Sequence, residues 1–302
     1  MAPPLARFPL LRRIRAAIRQ LLPPPADPIR AFFALPYEER VAAVKHLYRH
    51  ESKKQYLGDW FSWSEARIEH EINSNFRPYF DLVLGYARVM QPASILQLGS
   101  YTMTESRCLV CDGFPGRIIA SDYSAEHLRY LERGFAGTRF GGIQFRVVDL
   151  EQPRPDDFAD IAMIVAMAVL SNIQPEGLER FFAEVAASPV QCLLVADMYT
   201  KASLGIDPRT ARSVPLPNVR NWCHPYLALA RKHGLQSFFL PDFTYSSFLE
   251  ARGIFVIHRG IPVDTHVAAI GAASRRYIER QDLIWTSYAA ESYAGLEARS
   301  AD

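Results

Sequence analysis

From Ala93 onward the chain reads as short apolar runs, each closed by a glycine, a serine or an acid, with helix-compatible stretches between them. Ile95-Leu96-Gln97-Leu98 ends in Gly99-Ser100, and Ile118-Ile119-Ala120 ends at Ser121-Asp122. The pattern predicts strands at 94–98, 117–121, 143–148, 160–166, 191–197, 235–241 and 253–258. It predicts helices at about 103–112, 124–134, 175–187 and 221–233. Strands that alternate with helices imply a mostly parallel sheet covered on both faces. The last two runs are separated by a loop alone and can pair antiparallel. The expected architecture is α/β: a doubly wound, Rossmann-like, seven-stranded sheet with an antiparallel last strand.

The first ninety residues follow another pattern. Phe8, Leu11, Ile14, Ile18 and Leu21 fall at helical spacing, and Arg7, Arg12, Arg13, Arg15 and Arg19 precede the first acid, Asp27. This predicts a basic amphipathic helix that Pro23-Pro24-Pro25 stops. Arginines break its apolar stretch, so it does not read as a cleaved signal peptide. Residues 5–22 could meet a membrane surface or a protein partner, or pack on their own domain. Ala31–Arg49 and Ile68–Met90 are helical in pattern, and the segment between is rich in aromatics, among them Tyr56, Trp60, Phe61 and Trp63. With Tyr79, most of these suit packing of cap on sheet. The predicted division is an N-terminal helical cap at 1–90, a sheet domain at 91–260 and a helical tail at 261–302.

Bulk properties narrow the function. A chain of 302 residues that is 49% hydrophobic and 22% charged can bury a large core. Its net charge of +2 argues against a broad nucleic-acid surface. No apolar run approaches the ~20 residues of a membrane span. The expected compartment is the cytoplasm, with peripheral attachment to a membrane as the alternative. Cys108 and Cys111 are spaced as CxxC but fall on a predicted helix, with no second zinc-spaced pair, so they read as packing thiols and no metal is expected.

In a doubly wound sheet the ligand sits at the carboxyl ends of the strands, near the point where the winding reverses. Gly99 would let backbone approach a ligand there. Asp122, 23 residues further on, is placed to accept ribose hydroxyls, or else to cap the next helix together with Ser124. Asp149-Leu150, after the third strand, is in place for an adenine amino group; a solvated turn acid is the plainer alternative. A dinucleotide wants G-x-G-x-x-G at this turn, whereas the chain has Gly99-Ser-Tyr-Thr-Met-Thr with one glycine. S-adenosyl-L-methionine carries no phosphate and tolerates that loss better.

These residues resemble the class I S-adenosylmethionine-dependent methyltransferases. More narrowly, the chain looks like the nicotinamide, phenylethanolamine and indolethylamine N-methyltransferases. Leu98-Gly99-Ser100, Ile118-Ile119-Ala120-Ser121-Asp122-Tyr123-Ser124, Leu194-Val195-Ala196-Asp197, Val214-Pro215-Leu216-Pro217, Tyr245-Ser246-Ser247 and Gly253-Ile254-Phe255-Val256 follow in the family's order, and Tyr56-Leu57-Gly58-Asp59-Trp60-Phe61 is similar to its cap. The resemblance implies the seven-stranded methyltransferase sheet and a small-molecule acceptor. It implies that Tyr56 closes over the methionine end of the cofactor, with Gly99 and Ser100 beneath. Asp122, Tyr123 and His127 would hold ribose and adenine, Asp149 and Leu150 would meet adenine, and Ala166 would lie beside the cofactor at the end of strand four. Asp197, Tyr199 and Tyr245 would line the acceptor pocket. The chain departs from the family at Gln97, where an acid is usual, at Tyr101, where a second glycine is usual, and at Ala166-Met167-Ala168-Val169, where some members have an acceptor-site acid.

The methyl group is already activated by the sulfonium, so the protein needs only to align an acceptor lone pair and exclude water. For a nitrogen acceptor, Asp197 is the candidate for orienting it. For a hydroxyl, as on a sugar or lipid-linked glycan, a general base is needed, and His224 is the best placed histidine. A non-catalytic scaffold is the third reading, favoured by Tyr101 and Met103 in the glycine turn.

Overall fold

The computed structural model describes residues 32, 34–56, 77–100, 103–200, 202–204, 210–216, 221–241 and 251–274. The predicted basic helix, Trp60, Phe61, Trp63, Tyr101 and Tyr245 lie outside them.

The sheet has seven strands. They are β1 (Ser94–Leu98), β2 (Arg117–Asp122), β3 (Gln144–Val147), β4 (Met163–Met167), β5 (Cys192–Tyr199), β8 (Gln236–Pro241) and β9 (Ala251–His258). Their spatial order is β3-β2-β1-β4-β5-β9-β8. β1 to β5 pair in parallel, and β9 lies antiparallel between β5 and β8. This is the doubly wound, Rossmann-like sheet of the methyltransferase type, with each predicted strand present. Two short strands, β6 (Val214–Pro215) and β7 (Trp222–Cys223), form a separate antiparallel pair.

Alternation along each strand divides the core. Ile95, Ile118, Ala120, Met163, Val165, Cys192, Leu194 and Val256 face one layer. Leu96, Leu98, Ile119, Ile164, Ala166, Leu193, Val195 and Phe255 face the other. The first layer is covered by α2 (Arg77–Met90), α3 (Thr104–Cys111) and α4 (Ala125–Phe135). The second is covered by α5 (Pro175–Ala187) and α6 (Tyr226–Lys232). Parallel neighbours need crossovers, and helices on both faces are how those crossovers bury the sheet.

Two helices differ from the sequence reading. The helix expected at 221–233 begins only at Tyr226, because Trp222-Cys223 pairs with Val214-Pro215 and Pro225 occupies the N-cap. His224 therefore precedes the helix rather than heading it. The helix expected at Ala31–Arg49 runs as α1, Tyr37–Tyr56. Pro36 sets its start, its carbonyl accepting the Arg40 N–H at 3.0 Å, and Glu38 and Glu39 in the first turn favour the positive helix end. Among the described residues no helix is long and apolar enough to cross a membrane.

A helical stretch at 263–274 packs on α2. A Cβ on Gly85 would lie 2.4 Å from the backbone oxygen of Ala269, so the contact exists only because residue 85 has no side chain. His266 fixes the same junction: its Nδ1 is 2.7 Å from the Tyr86 hydroxyl, and its ring centroid is 4.3 Å from that of His258. Gly85→Ala is expected to force the two helices apart and lower the unfolding free energy by about 1–3 kcal/mol. Urea denaturation of the two proteins measures the loss.

Candidate functional site

Parallel register brings the carboxyl ends of five strands to one edge. Across it stand Asp149 after β3, Asp122 ending β2, Gly99 after β1, Ala168 after β4 and Asp197 in β5. The winding reverses between β1 and β4. There the backbone is left-handed at Gly99 (φ +62), Met103 (φ 53) and Ala168 (φ 54). A Cβ on Gly99 would sit 2.5 Å from Val169 Cγ2, so the turn needs glycine for space as well as for φ. Of the three non-glycine residues at positive φ among the described residues, Met103 and Ala168 flank this point and Gln91 precedes β1.

Gln97, where the sequence resemblance leads one to expect an acid, has a visible task. Met103 caps α3 with no side-chain bond, and Gln97 Oε1 accepts instead from the Ser106 N–H at 3.0 Å and the Ser106 hydroxyl at 2.7 Å. An amide here satisfies an orphan N–H at the helix start. Ser100 continues the pairing to β2, its N–H donating to the Ser121 carbonyl at 2.7 Å. The Ser100 hydroxyl is fully buried and has no hydrogen-bond partner among the described residues.

Asp122 is half-buried at the end of β2. Burial raises its pKa to about 6, against the opposing backbone N–H groups of Ser124 and Tyr123. Its Oδ1 accepts from the Ser124 N–H at 2.9 Å. The N-cap of α4 is the Ser124 hydroxyl, which accepts from the His127 N–H at 3.2 Å. Helix capping thus falls to Ser124, and the Asp122 carboxylate remains at the strand end. His127 is buried, as are Leu150 and Ala166, and the last two belong to the core layer under α5.

Helix α1 reaches this edge from outside the sheet. Lys45 Nζ lies 2.5 Å from Asp149 Oδ2 and 5.7 Å from the Tyr123 ring centroid. The Tyr37 hydroxyl donates to Glu151 Oε2 at 2.8 Å, and the Gln174 N–H donates to Glu151 Oε1 at 2.8 Å. Arg40 donates to the Gln174 side chain at 2.9 Å, and Arg180 bonds both the Glu151 carbonyl and the Tyr37 hydroxyl. Glu151 therefore sits buried between the cap and the first turn of α5. A Cβ on Gly177 would fall 1.9 Å from its Oε2, so glycine makes the room. Burial lifts the Glu151 pKa from 4.5 to about 7. Tyr37, Arg40, Lys45, Gln174 and Arg180, which make these bonds, belong to no motif in the sequence.

On the acceptor side, Asp197 is 2% exposed. Its Oδ1 accepts from the Met198 N–H at 2.8 Å, and its Oδ2 accepts from the Ser171 N–H at 2.9 Å and the Tyr226 hydroxyl at 2.8 Å. Burial raises its pKa despite these donors. His224 is fully buried, with Nε2 3.0 Å from the Ile173 carbonyl and Nδ1 2.9 Å from the Ser213 hydroxyl. A carbonyl can only accept, so Nε2 carries the proton and Nδ1 accepts from Ser213. Burial lowers the His224 pKa to about 3, which keeps the ring neutral. Both residues face inward, tying β5 and β7 to the turn after β4. Tyr199 is half-buried with its ring centroid 4.7 Å from that of Phe239. Tyr56 ends α1. Cys108 is buried in α3 and Cys111 is exposed at its end. Among the described residues no group of three or more His, Cys, Asp or Glu is arranged to hold a metal.

No family model matches the chain, and no curated protein does. Similar solved structures include methyltransferases. The methyltransferase domain of bacterial CtHen1-CN is 14% identical, with 62% of this chain and 100% of that one covered and a TM-score of 0.47. The N-terminal domain of EvdMO1, solved with SAH bound, is 16% identical over 60% of this chain and 80% of that one, at a TM-score of 0.43. A TehB-like SAM-dependent methyltransferase from Corynebacterium glutamicum is 15% identical over 58% of this chain and 86% of that one, at 0.40. The fold itself rests on the strand order and register.

Two substitutions probe this edge. Tyr226→Phe leaves the buried Asp197 carboxylate one donor short, and should cost about 1–3 kcal/mol in urea unfolding. Glu151 binds its proton more tightly folded than unfolded, so its contribution is full below about pH 4.5 and is lost as pH rises through about 7. Glu151→Gln should flatten that limb of the stability profile when unfolding is measured between about pH 4.5 and pH 8.

Proposed function

We propose that this chain transfers a methyl group from S-adenosyl-L-methionine to a small-molecule acceptor, with nitrogen as the acceptor atom. The observation that carries the reading is the Asp122 carboxylate, held half-buried at the end of β2 beside the Gly99 turn. A carboxylate kept partly out of water gains from further donors, and the two hydroxyls of a ribose are such donors. The buried Ser100 hydroxyl fits the same group as a polar atom in need of a partner. The single glycine of the turn suits a cofactor without pyrophosphate.

In this reading Gly99 and Ser100 line the methionine end, Asp122 holds the ribose, and Tyr123, Asp149 and Leu150 bound the adenine, with His127, Ala166 and Tyr56 around them. The cofactor, when bound, supplies a methyl group already activated by sulfonium. What remains for the protein is alignment and exclusion of water, and alignment alone can lower a barrier by roughly 7–11 kcal/mol. Asp197 acts by bracing the ends of β4 and β5, which shape the acceptor side together with Tyr199 and Tyr245. His224, neutral and bonded at both nitrogens, offers no base to a hydroxyl, and this favours an acceptor whose lone pair is already free. Membership of the nicotinamide, phenylethanolamine and indolethylamine group, a cytoplasmic location, and a membrane or protein contact through residues 5–22 complete the proposal.

Calorimetric titration with S-adenosylhomocysteine tests it. Wild type should bind, and Asp122→Ala should lose at least about tenfold in affinity, as expected for a charged hydrogen-bond acceptor worth more than about 1.4 kcal/mol. Binding should also weaken as pH falls through about 6, where Asp122 takes up its proton. No heat from the wild-type protein would reject the reading.

A further inference from the structure

We infer that Lys45 gates the adenine side of the cofactor site. The inference rests on the methyl-transfer reading above and deepens it. Asp149 has two carboxylate oxygens, and they are not equivalent. Oδ1 turns back to accept the Glu151 N–H at 3.2 Å. Only Oδ2 points outward, and it is the atom that Lys45 Nζ holds at 2.5 Å. The same ammonium lies 5.7 Å from the Tyr123 ring centroid, and the Tyr123 hydroxyl donates to the Lys45 carbonyl at 3.3 Å. One lysine thus takes both features assigned to the base: the free carboxylate oxygen that would accept from its amino group, and the aromatic face beside it. An adenine amino group and the Lys45 ammonium are both donors, and they compete for one acceptor.

Lys45 is suited to yielding. Its side chain is 24% exposed and that of Asp149 is 35% exposed, so the ion pair is reached by water and screened by salt. The firm anchors of α1 lie elsewhere, where Tyr37 and Arg40 grip Glu151, Gln174 and Glu176. The lysine can swing out while the start of the helix stays docked. The gate is electrostatic, and its closed position is set by a pair of charges rather than by packing.

The test is titration of S-adenosylhomocysteine into the full chain, as wild type, Lys45→Met and Lys45→Arg, at about 50 mM and about 500 mM salt. An exposed pair of this kind corresponds to roughly a two- to fivefold change in affinity. Lys45→Met should bind about that much tighter than wild type at low salt. Salt should tighten the wild type toward the variant and leave Lys45→Met unchanged, and Lys45→Arg should behave as wild type. Equal or weaker binding by Lys45→Met, or the same salt response in both, would overturn the gate and leave the methyl-transfer reading standing. An absence of binding in all three proteins would overturn both.

Discussion

Everything at the working edge depends on the pairing of β1 with β4. These two parallel strands are neighbours in the sheet but not in the chain, and the winding reverses between them. The crossover after β1 lies on one face and the crossover after β4 on the other. Their helices diverge, and the crevice left between them is where a ligand can reach backbone. The divergence has a local requirement. Val169, leaving β4, rests against the bare Cα of Gly99, leaving β1, and a side chain on residue 99 would collide with it. Gly99 therefore serves the crossing of two chain segments first, and any ligand second.

Around this crossing, acids of one chemical type are set to different tasks by their surroundings. Asp197 is sealed in and bonded on both oxygens, which makes it a strut between β5, α6 and the turn after β4. Glu151 is buried between two helices and joins them. Asp122 lies at the boundary, desolvated yet still reachable. Asp149 is the most open and is neutralised by a lysine from α1. The acids near the boundary keep acceptor positions within reach of solvent, whereas a carboxylate whose acceptor sites are already filled has nothing to offer a newcomer.

The sheet was legible because buried parallel strands are continuous apolar runs, and those runs end at glycine and acid where the chain must turn. The positions of Gly99, Asp122 and Asp149 along one edge follow from that alone. What the pattern concealed was of two kinds. Trp222-Cys223 makes a strand too short to leave a period, so the pattern there is that of a helix start, whereas His224 lies in the buried turn before the helix. The docking of α1 rests on Tyr37, Arg40, Lys45, Glu151, Gln174 and Arg180. The first three of these polar residues lie more than a hundred positions from the last three, the two groups meet only through the fold, and no spacing rule connects them. Burial was the other hidden quantity: Asp197 at a strand end looks the same in sequence whether it faces a pocket or a core.

The contact of Gly85 with Ala269 has a consequence for the chain as a whole. The helix that leads into the first strand and the helix that follows the last one are clasped backbone to backbone. The sheet domain is thereby closed into a ring in space, although the polypeptide is linear. Loosening either helix would therefore disturb the approach to β1 and the exit from β9 together.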